Sequence, residues 1–170
     1  TTPDFRTQAL RYALPRVDAV LFTHGHADHV MGFDDIRRFN TMQGGVIPAY
    51  GSPETLADVQ RIFNYIGTER IPGVYRPLIE FRTVDGPFSL GEMRVTPLPV
   101  EHGAGCLGYR FDVAGCSLAY APDCVSMPAA TLERVRGVQV MILDALRHRP
   151  HMTHLTLADS ISLLQRIGAA

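Results

Sequence analysis

A chain of 170 residues, 46% of them apolar and 19% charged, suits one globular domain spanning residues 1–170 with a core of its own. Its net charge of −1 removes the electrostatic case for a nucleic-acid or membrane-surface partner. No apolar run reaches the ~18 residues needed to span a bilayer. All 16 basic residues are arginine, a bias that genomic composition explains more simply than selection for phosphate contacts.

In chain order, Asp4 is placed to cap a helix running to Leu14, which Pro15 ends. Asp18 to Thr23 reads as a short buried strand. Gly32 to Asn40 reads as a helix, with Phe33, Ile36 and Phe39 at helical spacing. Val46 to Tyr50 is a strand. A helix follows from Ser52 or Pro53 to about Tyr65, with Leu56, Val59, Ile62 and Phe63 as its apolar stripe. Gly67 to Pro77 is a loop with two prolines and two glycines, read either as mobile or as lining a pocket.

Five β candidates come next: Ile79 to Val84, Phe88 to Leu90, Met93 to Leu98, Leu107 to Val113 and Ser117 to Ala121. Turns at Gly86, Gly91 and Gly115 suggest antiparallel hairpins. Met127 to Arg136 is a helix, Val138 to Leu143 a buried strand and Thr156 to Ile167 a helix. Helices thus bracket a β-rich middle, as in a layered α/β domain, with no internal boundary. Cys106, Cys116 and Cys124 have no redox or zinc-knuckle spacing and read as buried apolar residues in a reducing cytoplasm. No signal peptide is expected.

The chemical signal lies in Thr23-His24-Gly25-His26-Ala27-Asp28-His29. His24 and His26 are two apart at a strand end, so in extended geometry both imidazoles point the same way. That convergence suits a borderline cation such as Zn²⁺. Gly25 and Ala27 leave room for the turn. Asp28 and His29 fall where the chain bends into the next helix and aim at a second point, so the segment is geometry for two metals.

The run His24 to His29 resembles the signature of the metallo-β-lactamase superfamily, and the likeness extends over almost the whole chain. Val100-Glu101-His102-Gly103 and Tyr120-Ala121-Pro122-Asp123 resemble later ligand segments. Asp144 to Arg147, followed by His151-Met152-Thr153-His154-Leu155, is similar to the phosphoribosyl 1,2-cyclic phosphate phosphodiesterase (PhnP-like) branch and, more distantly, to tRNase Z. The resemblance implies an α/β αββα four-layer sandwich. It implies a first metal held by His24, His26 and His102, a second by Asp28 and His29, and Asp123 bridging the two. Asp28 and His154 form the catalytic set, with His154 as proton donor.

Two divalent ions are implied, Zn²⁺ first and Mn²⁺ as the alternative. His26 stands where the di-iron redox branch has Glu, which favours hydrolysis. Asp144 is read as orienting a site histidine. Arg147 and Arg149 are read either as phosphate clamps or as solvated side chains, and His148 as a surface residue. His151 is divided between supporting the site and packing its loop. Asp34 and Asp35 are read as a solvated helix face, with Asp34 near enough to support the His turn. Tyr109, Arg110 and Tyr120 are read as strand residues.

The superfamily has strands before the point matched by Thr1, and a further His ligand on a strand after the last helix. The expectation is therefore an incomplete sandwich whose second metal is held weakly. The leading reading is a cytoplasmic phosphodiesterase acting on a small cyclic or nucleotide-like phosphodiester, with a homodimer left open. The alternatives are tRNA 3′ processing, thioester or lactone hydrolysis, an inert metal-binding module, or a structural domain without metal. Near-neutral charge weighs against the tRNA reading.

Overall fold

The computed structural model describes residues 1–168 and divides into two compact units, one over Thr1–Val84 and one from Asp85 onward. The first unit holds a parallel three-stranded sheet, β1 (Val20–Leu21), β2 (Ile47–Gly51) and β3 (Ile79–Thr83), in the order β1-β2-β3. Around it lie α1 (Phe5–Arg11), α2 (Ala27–Val30), a 3₁₀ turn (Phe33–Ile36), α3 (Arg37–Gln43) and α4 (Pro53–Ile62). Its core gathers Phe22, Val30, Phe33, Ile47, Val59 and Ile79. Phe22 meets Phe33 edge to face with ring centres 4.8 Å apart. Burying each such ring contributes roughly 1.5–3 kcal/mol.

α4 starts where expected: Ser52 accepts a hydrogen bond from Thr55 N–H at 3.2 Å, and Pro53 follows at the first helical position. Leu56, Val59 and Phe63 are buried, whereas Ile62, at the edge of the predicted stripe, is 38% exposed. Three expectations are corrected. α1 stops at Arg11 rather than Leu14, and the Asp4 side chain makes no capping bond. The strand expected over 18–23 pairs only at Val20–Leu21, although Phe22 N–H still reaches Tyr50 C=O at 2.8 Å. The helix expected over 32–40 begins as a 3₁₀ turn and becomes α-helical only from Arg37.

The second unit carries a five-stranded sheet in the order β4 (Phe88–Leu90), β5 (Met93–Pro99), β6 (Leu107–Val113), β7 (Cys116–Ala121) and β8 (Val140–Leu143). With it go α5 (Ala129–Val135) and α6 (Leu157–Ile167). β4 to β7 form an antiparallel meander, and β8 joins β7 in parallel. The turns at Gly91 and at Ala114-Gly115 close two of its hairpins. Ala114 and Gly115 both have positive φ (50° and 77°), as a two-residue hairpin turn of matching twist requires.

Gly86 closes no hairpin, because β3 is spent on β2 and lies in the other sheet. β8 is an edge strand rather than a buried one, with Val140 50% and Ile142 46% exposed. Cys106 and Cys124 are buried as expected, but Cys116, at the start of β7 beside that turn, is exposed.

β5 and β7 each run antiparallel to β6, so they run parallel to one another, and β8 follows β7. The C-terminal ends of all three therefore meet at one edge of this sheet. The segments bearing His102, Asp123 and Asp144 leave from that edge.

Candidate metal centre

In the first unit, β1 delivers its chain end to His24, whose side chain is buried. His24 Nε2 and His26 Nδ1 lie 3.0 Å apart, close to the about 3.3 Å between two nitrogens on one tetrahedral Zn²⁺. His24 Nδ1 contacts Thr23 Oγ1 at 3.1 Å, which fixes the ring. The His24 and His29 rings are 4.2 Å apart. His29 Nε2 is 3.4 Å from Asp28 Oδ2, while the Asp28 side chain stays 75% exposed. Gly25 is required here for space, not φ: a Cβ would sit 2.9 Å from Cβ of Asp58 on α4.

In the second unit, His102, Asp123 and His154 each offer a ligand atom, all within 4.8 Å of one another. His102 Nδ1 donates to Thr153 C=O at 2.9 Å. A carbonyl only accepts, so Nδ1 carries a proton and Nε2 is the ring nitrogen turned to the site. That Nε2 lies 3.7 Å from Asp123 Oδ2. His154 Nδ1 donates to buried Asp144 Oδ2 at 2.7 Å, and the same oxygen accepts from Cys124 N–H at 2.9 Å. The His102 and His154 ring centres are 4.6 Å apart.

Backbone and hydroxyl contacts hold this group. Asp144 N–H donates to Ala121 C=O at 3.0 Å, and Leu155 N–H to Cys124 C=O at 2.9 Å. Ser160 on α6 donates its hydroxyl to Asp144 C=O and to Thr156 C=O. α6 itself starts at a capping box: Thr156 accepts from Asp159 N–H, and Asp159 accepts from Thr156 N–H. Burial, then nearby Asp123, pushes the Cys106 thiol up to about 12. Burial, then Asp144, does the same for Cys124. Both remain neutral thiols in the core beneath the site.

Asp144 thus lies against His154, one of the histidines it was expected to orient. Other expectations are redirected. Arg147 donates to the carbonyls of Arg149 and Pro150, so it braces its own loop instead of facing a phosphate. Arg149 and His148 are exposed. His151 Nδ1 accepts from Thr153 N–H at 3.3 Å, and its ring lies 4.9 Å from that of His154, so it packs the loop beside the site. Asp34 does not support the His turn: it accepts from Tyr65 O–H at 2.7 Å and pairs with Arg37. Asp35 pairs with Arg6.

Thr153, Cys124 and Ser160 act through backbone position or a hydroxyl, and no sequence signal marked them. A cleft of about 450 Å³ opens beside His154, lined also by His151, Thr156, Asp159, Ser162 and Arg166.

The donor set fits a borderline divalent cation. It comprises converging imidazole nitrogens, a carboxylate beside one of them, and acceptors behind the rings that hold them in place.

The whole chain, residues 1–170, matches the family described as a beta-lactamase superfamily domain. An octanoyltransferase of Porphyromonas gingivalis is 31% identical over 172 residues, covering 98% of this chain and 33% of that protein. An anti-Pycsar protein of Saccharibacillus brassicae is 26% identical, covering 91% of this chain and 66% of its own. Among solved structures, a diphosphatase from the PhnP family superposes with a TM-score of 0.86 at 38% identity, over 99% of this chain and 64% of that one. The short form of human tRNase Z reaches 0.72 at 14% identity, a likeness of fold. The chain therefore spans a third of the octanoyltransferase and just under two thirds of the diphosphatase. Among the described residues, no helix is long and apolar enough to cross a membrane.

Proposed function

Because the chain belongs to the beta-lactamase superfamily and has the metallo-β-lactamase fold, we propose that it is a metal-dependent phosphodiesterase acting on a small cyclic or nucleotide-like phosphodiester. The observation that carries this reading is the His102, Asp123 and His154 group, backed by Asp144. Following the resemblance, His24, His26 and His102 would hold one cation, Asp28 and His29 a second, and Asp123 would bridge. Zn²⁺ suits this ligand set best and Mn²⁺ second. When bound, such cations supply an acidified water and neutralise charge on the phosphoryl oxygens.

The chain's own residues do the rest. Thr153 C=O keeps the His102 proton on Nδ1, so Nε2 stays a ligand. Asp144 holds the His154 ring through Nδ1 and leaves Nε2 to deliver a proton to the departing oxygen. Asp144 is fixed in turn by Cys124 N–H, so the proton donor does not swing. The cleft beside His154 would receive the leaving portion of the substrate.

The resemblance to a PhnP-family diphosphatase at 38% identity supports phosphoryl rather than acyl chemistry. The octanoyltransferase relative keeps an acyl substrate in the comparison. The test is a panel of a cyclic phosphodiester, bis-(p-nitrophenyl) phosphate, a thioester and a lactone, each with added Zn²⁺ or Mn²⁺. Turnover of the phosphodiesters alone is the expected result. Turnover of the thioester or lactone alone would replace the reading. Metal binding with no turnover of any member would reduce the chain to a metal-binding module.

A further inference from the structure

We infer that the first unit carries a second anion site, away from its His cluster, that binds the phosphate group of a small phosphorylated molecule. The site is a cleft of about 440 Å³ between α3 and the loop 67–77. Arg37, Arg70 and Arg76 all line it, and no Asp or Glu does. In a chain of net charge −1, that concentrates cationic groups in one concavity.

The three arginines are not equivalent. Arg76 is built in. Its terminal nitrogens donate to Tyr65 C=O at 3.1 Å and to Glu69 C=O at 3.2 Å. Its guanidinium lies over Gly67, where a Cβ would come within 2.6 Å of it. Its Nε is buried, with no acceptor among the described residues, so the two terminal nitrogens fix the group at the cleft wall.

Arg70 is exposed and reaches Asn40 C=O by one long bond of 3.5 Å, which leaves most of its donors for a ligand. Arg37 is shared with Asp34 at 2.8 Å. The Asn40 side chain, by contrast, is spent on Gly45 and Leu78 backbone groups and offers nothing further. Tyr75 (84% exposed) and Val74 (51% exposed) add an apolar wall beside the cations. Guanidinium donors with an adjacent exposed ring suit a phosphate carried on a nucleoside or a sugar.

The experiment is titration calorimetry on the whole chain with excess chelator, so that the metal centre plays no part in the outcome. Inorganic phosphate, ribose 5-phosphate and adenosine 5′-monophosphate are the probes, and adenosine is the uncharged control. Saturable binding of the phosphates but not of adenosine is expected, weakened about tenfold or more in Arg70→Ala. Tighter binding of the nucleotide than of ribose 5-phosphate assigns a base-stacking role to Tyr75; equal binding assigns the site to the phosphate alone.

Arg70→Ala keeps the loop bonds of Arg76, and its thermal midpoint should match the parent. Arg76→Lys, which keeps the charge but loses the fork, should also weaken binding. No saturable binding at millimolar phosphate, or binding unchanged in both variants, overturns the inference. Either result leaves the phosphodiesterase reading standing, because hydrolysis is measured separately with metal present.

Discussion

His102 and His154 differ in what stands behind their rings. Behind His102 is a carbonyl, which can only fix a tautomer; behind His154 is a carboxylate, which also stabilises positive charge on the ring. Their substitutions should therefore fail differently. His102→Ala is expected to lower bound metal per chain, measured by elemental analysis, together with activity. His154→Ala should keep its metal and lose 10²-fold or more in kcat, the range of general acid catalysis. Full metal loss in His154→Ala would make it a ligand and undo the assignment. Asp144→Asn keeps the shape but removes the charge behind His154. It should fall between His154→Ala and the parent in kcat with KM little changed.

The candidate ligands were legible at this scale because imidazoles and carboxylates at a strand end have few structural uses. The groups behind them were not. A backbone carbonyl at Thr153 or an N–H at Cys124 has no side-chain signature. The thiols show the same limit: all three read alike in the sequence, yet only Cys116 is exposed. Brief treatment of the native chain with iodoacetamide at pH 8 should label Cys116 alone, and labelling in denaturant should reach all three, as mass spectrometry would count. Native labelling of Cys106 or Cys124 would show that the second unit opens easily.

Helices and strands were legible where period and caps agreed. α4 and α6 each have an apolar stripe and a side-chain cap, and both start within a residue of expectation. β8 shows the failure: an apolar run reads as buried, but whether a strand is central or at an edge is decided by its neighbours. Gly86 failed for a related reason, since a turn signal cannot say which sheet receives the next strand.

The cap of α6 has consequences beyond the helix. Thr156 follows His154 by two residues, and Ser160, one turn on, holds the Asp144 backbone. Thr156→Ala should cost about 1 kcal/mol of stability. By loosening the start of α6, it should also lower kcat more than it raises KM. A stability loss with unchanged kcat would show that the site is held by its strands alone.

At the scale of the molecule, the fold class was legible because alternating helices and strands leave few layered solutions. The division at Val84 was not, since no linker composition marks it. Each unit has an apolar core of its own, so each sheet is expected to hold together without a cation. A bound cation should nonetheless stabilise the whole chain by mass action, because the ligand geometry exists only in the native state. At a free metal concentration of 100 times Kd the gain is about 2.7 kcal/mol. For a chain of this size that corresponds to roughly 5–10 °C in Tm. Scanning calorimetry of the chelated chain should therefore show a cooperative transition, shifted upward as Zn²⁺ is added. The shift should be largely lost in His24→Ala and His102→Ala and kept in His154→Ala. If Zn²⁺ moves Tm equally in all three variants, it binds elsewhere and the ligand assignment is wrong. If the chelated chain melts without a cooperative transition, the apolar cores alone do not sustain the fold, and metal is structural as well as catalytic.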